Sequence, residues 1–307
     1  MNDPFVFIVI LNWNGYLITL ECLKSLLGIN YNNYEILLVD NGSTDESLNI
    51  LRNYCDKKSK VSILALDKNY GFTGGNNQAV EYILKIKTPD FFLFLNNDTE
   101  VDPDFLSKMV DLAMNNNKIA VVVPKIYYFN SPNTIWYAGG YINKLSCVGE
   151  HFGLGKKDSK RYSKVKPITF MNGCAMLVKS HFIINYGLFD EIYFANCEDV
   201  DFSFKVLQNG YIIMYEANAK IWHKVSLSFK INKNKWLGFY LVTRNLVILQ
   251  KKYNIKKWYF VFSFSYFLIR WLLYLEFKFL FQGNFTFCKY ILLGFIDGFT
   301  KKNRLQN

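Results

Sequence analysis

The sequence predicts an α/β fold with a mostly parallel, doubly wound sheet, followed by a helical C-terminal extension. In the first half of the chain, short apolar runs alternate with stretches whose apolar residues recur at helical spacing. Strand–helix alternation with short loops is typical of a parallel sheet with helices on both faces. The extension differs from the rest because it is strongly basic and rich in aromatic residues.

The 307 residues carry a net charge of +11, and the positive excess lies at one end. The segment from Lys220 onward has 16 basic and 2 acidic residues, whereas the preceding 219 residues have 20 basic and 23 acidic. A hydrophobic content of 51% excludes a disordered chain. A mildly acidic body with a basic, aromatic tail indicates a tail that meets phosphate, in lipid headgroups or in nucleic acid.

Neither the cysteines nor the N-terminus indicates secretion. The six cysteines form no C-x-x-C pair and lie at long, irregular spacings, which argues against a zinc site or a disulfide scaffold and favours a reducing compartment. The first apolar run is short, Asp3 precedes it and the first basic residue is Lys24, so we expect no signal peptide here.

The predicted elements of the first half follow one another in a regular order. The first strand, 5–11, is a continuous apolar run that ends at a turn of Asn and Gly residues, as expected of a strand buried on both faces. Ser43 or Thr44 is suited to cap the second helix, with Asp45 and Glu46 in its first turn, and Asp102-Pro103 to open the fourth. Strands are predicted at 5–11, 34–39, 61–66, 91–95 and 119–123, and helices at 16–27, after 44, at 73–86 and after 102.

The regular alternation breaks over residues 124–165, where glycines and a basic patch indicate an inserted loop or hairpin. Regular structure returns beyond this insertion. The elements predicted there are strands near Ile168, at 176–178 and at 211–215, a helix at 199–209, a helix at 232–254, and two apolar stretches at 258–281 and 285–299.

Polar residues follow the predicted strands at the edge where parallel sheets bind ligands. They are Asn12, Asp40, Asp67 to Asn69 and Asn96 to Asp98. Asp40 and Asp98 supply the acids that a metal–nucleotide site needs, and carboxylate oxygen suits Mg²⁺ or Mn²⁺. Taken alone, Asp98 also fits a capping role, and the segment that begins at Asp40 also fits an ordinary turn.

A glycine-rich segment at 68–77 places glycines and backbone amides at the start of a helix, an arrangement that favours phosphate. Its spacing is neither G-x-G-x-x-G nor that of a P-loop. This argues against a dinucleotide-binding fold and against a P-loop NTPase. A simple glycine-rich turn is the alternative interpretation.

Three acids, Glu198, Asp199 and Asp201, open the helix predicted at 199–209. Like charges close together raise the pKa of a carboxylate, which suits a general base. A solvated helix start would explain one or two of these acids more easily than all three. For His223 the sequence leaves three interpretations open: a metal ligand, a contact to phosphate, or no functional role.

Together these segments resemble the family 2 glycosyltransferases of GT-A fold, and more narrowly the bacterial branch of rhamnosyl- and galactofuranosyltransferases. The resemblance covers residues 5–225, and His223 lies where that branch has a His after the last strand. The matching stretches are 9–14 (VILNWN), 39–45 (VDNGSTD), 69–72 (NYGF), 95–99 (LNNDT), 172–175 (NGCA) and 198–201 (EDVD).

The resemblance implies an inverting glycosyltransferase that uses a nucleoside-diphosphate sugar together with Mg²⁺ or Mn²⁺. It implies that Asp40 meets the nucleobase and that Asp98 and His223 bind the metal. It also implies that Asp199 is the general base, with Glu198 beside it. The residues that it assigns to nucleotide-sugar binding are Asn12, Asp40, Asn69, Gly71, Asn97 and Gly173.

The chain departs from the family pattern in two places. Asn96 and Asn97 stand where many relatives have acids, so we expect a weaker metal affinity. Lys205 stands where relatives often have Arg, so a bidentate contact would be lost there.

We therefore expect transfer of a hexosyl or deoxyhexosyl group to a lipid-linked saccharide, in surface polysaccharide biosynthesis. A nucleotidyltransferase is the first alternative, but it needs basic residues in the first loop, and Asn12 to Tyr16 has none. A nucleic-acid binder would not need Asp98 and Asp199, so we expect no nucleic-acid partner. The domains expected are a catalytic domain at 1–225, with a nucleotide-binding half at 1–125 and an acceptor half at 165–225, and a C-terminal region at 226–307.

The C-terminal region is expected to meet an anionic membrane surface. The stretch 258–281 is long enough to span a bilayer, but Arg270 lies near its middle and charged residues follow. Abundant aromatic residues and flanking lysines favour an interfacial hairpin on the cytoplasmic face of the cell membrane. A helix pair packed on the catalytic domain is the alternative.

Overall fold

Strands and helices alternate over the first half of the computed structural model, which describes residues 3–144, 146–225, 235–253, 265, 274–281 and 283–301. Every element predicted for this half is present. In chain order these elements are β1 (Val6–Asn12), α1 (Tyr16–Leu26), β2 (Tyr34–Asp40), α2 (Ser47–Cys55), β3 (Val61–Ala65), α3 (Gly71–Ile86), β4 (Phe91–Asn96), β5 (Thr99–Val101), α4 (Phe105–Met114) and β6 (Ile119–Tyr128).

The second half adds strands to the same sheet and helices at its end. In chain order these elements are β7 (Ser131–Tyr137), β8 (Gly140–Asn143), β9 (Val148–His151), β10 (Lys166–Ile168), β11 (Ala175–Lys179), α5 (Ser180–Tyr186), α6 (Glu198–Gln208), β12 (Ile212–His223), α7 (Lys235–Tyr253), α8 (Tyr274–Phe281) and α9 (Phe285–Thr300). The predicted helical C-terminal extension is therefore confirmed.

Within the described residues, ten strands form one mixed sheet in the order β10-β12-β6-β11-β4-β1-β2-β3, with β5 beside β12 and β7 beside β6. The strands β4, β1, β2 and β3 are parallel to one another, and β6 is parallel to β12. The strand β11 lies antiparallel between β4 and β6. The predicted α/β class with a mostly parallel sheet is confirmed, although β11 separates β6 from the first four parallel strands.

The continuous apolar runs form the centre of the sheet, where helices cover both faces. Val6, Ile8 and Ile10 of β1 are fully buried, although they alternate in direction with Phe7 and Val9, which are buried as well. A strand with water on one face would show alternating burial instead. Because β1, β2 and β4 run in the same direction, their carboxyl ends meet at one edge, and Asn12 lies opposite Asp40.

Two predicted helix starts are wrong by a few residues. The helix α2 begins at Ser47 and α4 begins at Phe105, so neither starts at the predicted cap. The carboxylate of Asp45 accepts a hydrogen bond from the Ser47 amide at 2.9 Å, and that of Asp102 accepts one from the Asp104 amide at 3.1 Å. These acids therefore close short turns ahead of each helix, which is the competing use of the same side chain.

The predicted insertion at 124–165 contains a hairpin, β8–β9, and an antiparallel strand, β7, that extends the sheet beside β6. The strand β6 continues past its predicted end at residue 123, because the ammonium group of Lys125 is buried and paired with Asp158 at 2.9 Å. Lys125 interrupts the apolar run in the sequence. It does not interrupt the strand, because a buried charge is tolerated when it is paired.

The helix α7 packs against the core of the sheet, and α9 packs on α7. The side chains of Leu246 to Leu249 belong to the same buried core as the sheet. A Cβ on Gly294 of α9 would lie 2.5 Å from the carbonyl oxygen of Tyr240, so the two backbones approach closely. Most of the predicted apolar stretch 258–281 lies outside the described residues. None of the described helices combines the length and the apolar character needed to cross a bilayer.

Candidate active site

A buried hydrogen-bond network joins the carboxyl ends of β1 and β2. The Asp40 carboxylate accepts hydrogen bonds from Asn12 Nδ2 at 2.8 Å, from Ser43 Oγ at 2.6 Å and from the Ser43 amide at 3.0 Å. Asn12 Oδ1 in turn accepts one from Thr19 Oγ1 at 2.9 Å. Asn12 and Asp40 are both almost fully buried. These two predicted nucleotide residues therefore bond to each other and fix the turn between β2 and α2.

The glycine-rich segment is held from two sides at the start of α3. Asn41 Nδ2 donates to Asn69 Oδ1 at 3.1 Å and to the Gly71 carbonyl at 2.9 Å, and Asn69 Oδ1 also accepts from the Gly71 amide. The amides of Phe72 and Thr73 donate to the carbonyl of Phe194. These two amides, which the sequence analysis predicted to favour a phosphate, are thus bonded to a protein carbonyl instead.

A cleft of about 160 Å³ opens between the ends of β1 and β4 and the start of α3. Asn97, predicted to bind the nucleotide sugar, lines it and donates to Thr19 Oγ1 at 2.8 Å. The residues that line the cleft are Leu11, Phe72, Asn76, Phe94, Leu95, Asn96, Asn97 and Asp98. The cleft therefore lies at the edge where ligands bind in open α/β sheets.

Asp98 and His223 come together because β5 pairs with β12, which sets Thr99 opposite His223. His223 Nε2 lies 3.0 Å from Asp98 Oδ1, and both side chains are buried. Among the described residues, Asp98 Oδ1 and His223 Nδ1 lack a partner with good hydrogen-bond geometry. Burial lowers the pKa of His223, but the neighbouring Cys174 and Asp98 outweigh this effect and raise it to about 10.

This pair fits a divalent metal ion. A carboxylate oxygen and an imidazole nitrogen are ligands that Mn²⁺ accepts, and the oxygen also suits Mg²⁺. Adjacent ligands of an octahedral ion at about 2.1 Å lie about 3 Å apart, the separation of these two atoms. The described residues contain no group of three or more His, Cys, Asp or Glu side chains arranged to hold a metal, so further ligands would come from substrate and water.

Glu198 and Asp199 form an acid pair at the start of α6, in which the Glu198 side chain is buried and Asp199 is half-buried. Asp199 Oδ2 accepts from the Gly173 amide at 3.3 Å, and its Oδ1 accepts from the Val200 amide at 2.8 Å. Glu198 Oε2 has no partner in the described part of the chain. Burial raises the pKa of both carboxyl groups, and Asp199 raises that of Glu198 further.

Residues 172–174 lie between the acid pair and the Asp98–His223 pair. The Gly173 amide contacts Asp199, as described above, and the thiol of Cys174 is next to the imidazole of His223. The Cys174 carbonyl accepts from the Asn96 amide at 2.8 Å, which ties the segment to the end of β4. The acid pair and the Asp98–His223 pair therefore lie close together, on either side of residues 172–174.

The backbone is strained immediately before the acid pair. Asn196 and Cys197 have φ angles of +69° and +71°, the left-handed region that residues other than glycine rarely adopt. Such residues cost on the order of 1–3 kcal/mol each and persist only where their surroundings hold them. Strain of this kind concentrates at functional sites.

Sequence reasoning missed several residues that shape the site. Asn41 holds the glycine-rich segment, and Asn245 of α7 donates to the carbonyls of Ala195 and Asn196 at 2.9 and 2.8 Å. The polar residues Arg244 and Asn245, which interrupt the apolar stretch of α7, are the signal in the sequence for the second contact. For Asn41 the sequence offers no separate signal, because Asp40 next to it already accounts for the turn.

The mixed α/β sheet, with carboxylates at the carboxyl ends of its parallel strands, is the GT-A fold that structurally similar glycosyltransferases share. The chain belongs to glycosyl transferase family 2, whose family model matches residues 7–187. The narrower assignment to rhamnosyl- and galactofuranosyltransferases stays a prediction.

Sequence relatives are distant. An uncharacterized glycosyltransferase of Haemophilus influenzae is 29% identical over 119 residues, which are 39% of this chain and 46% of that protein. A low-salt glycan biosynthesis hexosyltransferase of Haloferax volcanii is 22% identical over 202 residues, covering 64% of this chain and 60% of that protein. The chain spans between 46% and 59% of the length of three curated relatives that it matches.

Solved structures agree with the fold. GalNAc-T7, solved with UDP, GalNAc and Mn²⁺, superposes with a TM-score of 0.66 at 18% identity, covering 81% of this chain and 48% of that one. A mannosyltransferase of Pyrobaculum calidifontis, in complex with GDP-Man and Mn²⁺, gives a TM-score of 0.61 at 12% identity, covering 98% and 88%. At these identities, the similarity establishes the fold.

Proposed function

We propose that the protein is an inverting glycosyltransferase that moves a sugar from a nucleoside-diphosphate sugar to a hydroxyl group of a lipid-linked saccharide. The observation that supports this most strongly is the pairing of two sites across residues 172–174. One site has the ligands for a metal–diphosphate complex, and the other has a pair of carboxyl groups, of which the half-buried Asp199 is suited to deprotonate a hydroxyl group.

In this proposal Asp199 is the general base. Its oxygens accept two backbone amide hydrogen bonds, which stabilise the ionised form, whereas Glu198 has a buried oxygen with no partner among the described residues. Two adjacent carboxyl groups that are largely removed from water share a proton, and the proton resides on the group whose charge is stabilised less. Glu198 therefore stays neutral and leaves Asp199 free to take the proton of the acceptor hydroxyl.

Asp98 and His223 would hold Mn²⁺ or Mg²⁺. The ion, when bound, offsets the charge that develops on the leaving diphosphate. Asn12, Asp40, Asn69, Gly71 and Asn97 would shape the nucleotide-sugar site, and Gly173 would place the base against the sugar. A single displacement at the anomeric carbon inverts its configuration.

The nature of the donor and acceptor rests on relatives. The sequence relatives include a hexosyltransferase of glycan biosynthesis, and the structurally similar enzymes were solved with UDP or with GDP-Man. We infer a hexosyl or deoxyhexosyl donor, including the rhamnosyl and galactofuranosyl types, and a role in surface polysaccharide assembly. Residues 1–125 would bind the nucleotide, 165–225 the acceptor, and 226–307 the membrane.

The proposed location is the cytoplasmic face of the cell membrane. The adjoining ends of α8 and α9, called here the α8–α9 tip, present large apolar side chains to solvent, with Phe281 89% exposed and Phe285 69% exposed. The exposed lysines Lys278 and Lys289 lie on the same two helices. Aromatic side chains next to lysines are the composition of a surface that meets anionic lipid.

The test is a panel of nucleotide sugars offered to the purified full chain. Release of nucleoside diphosphate is scored with and without Mn²⁺, and with and without a lipid-linked saccharide fraction. We expect one donor class to react, to require the metal, and to react faster with acceptor present. If no nucleotide sugar reacts and no nucleoside diphosphate binds in Mn²⁺, the proposed function is wrong.

A further inference from the structure

The segment 192–196, which leads into the acid pair, has each of its carbonyl groups held by a donor from outside the segment. Phe194 accepts from the amides of Phe72 and Thr73 at 2.8 and 3.3 Å, and Tyr193 accepts from Thr73 Oγ1. These donors belong to the start of α3, beside the cleft. The remaining three carbonyls accept hydrogen bonds from side chains of α7.

Two adjacent side chains of α7 supply those bonds. Arg244 Nη1 donates to the Ile192 carbonyl at 2.9 Å, and Asn245 Nδ2 donates to the carbonyls of Ala195 and Asn196. Arg244 Nη1 also donates to Asn245 Oδ1 at 2.7 Å. This last bond fixes the orientation of the amide, because its oxygen must face the guanidinium and its nitrogen must face the segment.

These bonds fall where the backbone most needs support. Asn196 and Cys197 hold left-handed φ angles, and Glu198 and Asp199 follow directly. Asn245 is fully buried, so water cannot replace its two hydrogen bonds. A relaxed turn at Asn196 and Cys197 would rotate the start of α6 and move Asp199 away from the Gly173 amide.

We propose that Asn245, oriented by Arg244, is a positioning residue that holds the strained turn and thereby sets the place of the catalytic base. The inference rests on the proposed role of Asp199. It assigns α7 a supporting part in the active site, in addition to any contact that the C-terminal region makes with membrane. Asn245 itself touches neither the substrate nor the acid pair in this arrangement.

The test compares Asn245→Ala with Gln250→Ala in the full chain. Gln250 is a buried amide on the same helix, but its side chain donates to the Ser146 carbonyl rather than to 192–196. We expect Asn245→Ala to lower kcat by about 10- to 100-fold, the scale on which a small misplacement of a reacting group acts. Nucleoside-diphosphate binding in Mn²⁺ and the melting temperature should match those of Gln250→Ala.

A third variant separates the hydrogen bonds from packing. Asn245→Asp keeps the size of the side chain but turns an acceptor toward two carbonyl groups, so it should lose at least as much kcat as Asn245→Ala. Equal kcat for Asn245→Ala and Gln250→Ala, or a normal kcat for Asn245→Asp, would overturn the proposal.

Hydrogen exchange provides a readout that does not depend on turnover. Amides at 197–201 should exchange faster in Asn245→Ala than in Gln250→Ala, because the turn is released. Unchanged exchange there would overturn the positioning role even if the wild type turned over no donor. Wild-type inactivity combined with faster exchange would instead remove the proposed function and keep the structural role of Asn245.

Discussion

At the scale of single residues, the two neighbouring acids of α6 have different surroundings. Asp199 receives two backbone amides, and Glu198 packs its side chain into the interior with one oxygen lacking a partner among the described residues. Hydrogen bonds to a carboxylate favour its charged form, and burial without them favours the neutral form. In the proposed mechanism the pair therefore divides into Asp199, which carries the charge, and Glu198, which keeps its proton.

Asp199→Asn removes the proposed base while keeping the size of the side chain. We expect turnover to fall by roughly two to four orders of magnitude, the usual effect of losing a general base, with nucleoside-diphosphate binding retained. Glu198→Gln is the matched control, because it replaces a neutral acid with a neutral amide and should keep most of the turnover. If Glu198→Gln abolishes turnover and Asp199→Asn keeps it, Glu198 is the base.

Asp98→Ala tests the metal pair. Loss of this ligand should weaken nucleoside-diphosphate binding in Mn²⁺ by at least about tenfold, since even changes beside metal ligands lower affinity on that scale. In EDTA the variant and the wild type should bind equally weakly, because only the metal-bridged contact is lost. Titration calorimetry in both buffers measures the difference. Equal binding in Mn²⁺ would remove Asp98 from the site.

At the scale of elements, the start of α3 depends on one glycine. Gly71 has a φ of +72°, and a Cβ there would collide with the carbonyl oxygen and the ring of Phe194. The same carbonyl receives the first amides of α3. The helix start and the segment before the acid pair therefore fit together only if residue 71 has no side chain.

Gly71→Ala should destabilise the protein more than the same substitution at another glycine with a left-handed φ angle. Gly155 is the matched control, because its φ is +71° and nothing lies within 4 Å of where its Cβ would be. Gly155→Ala should cost about 1–2 kcal/mol from backbone strain alone, and Gly71→Ala about 1–3 kcal/mol more from overpacking. Urea unfolding compares the two. Equal costs would show that Phe194 moves aside freely.

The elements also show which parts of the fold the sequence could predict. Buried strands such as β1 and β4 are continuous apolar runs, and their period and bounding turns locate them within a residue or two. The apolar pattern predicts a strand only at 211–215, because Glu216 and Lys220 interrupt the pattern. The strand β12 in fact continues to His223. The pairing of distant segments, such as Asn245 with the turn at Asn196, depends on tertiary packing that periodicity does not encode.

At the scale of the whole molecule, the C-terminal region is both part of the core and an exposed apolar surface. The helix α7 buries Leu246 to Leu249 in the main core, and Gly294 and Gly298 of α9 allow close packing on α7. Removing everything beyond α7 would expose the face that α9 covers. In a truncated protein, loss of membrane contact could therefore not be distinguished from loss of folding. Point variants at the exposed tip between α8 and α9 avoid this problem.

Phe281→Ser combined with Phe285→Ser tests the membrane surface in the full chain. Full burial of a Phe side chain contributes about 1.5–3 kcal/mol, so the double variant should weaken partitioning onto anionic vesicles by at least about tenfold. Co-sedimentation with vesicles of mixed neutral and anionic lipid measures this. High salt should release the wild type only partly, because salt screens the lysines but leaves the apolar contribution.

Ile86→Ser is the control for that experiment. Ile86 is 67% exposed, close to the value for Phe285, but it lies at the end of α3 in the body of the protein. Its replacement should leave vesicle binding unchanged if the tip between α8 and α9 makes the contact. Equal vesicle binding by the double Phe variant and the wild type, or an equal loss with Ile86→Ser, would show that this tip does not dock on lipid and that the exposed phenylalanines serve another contact.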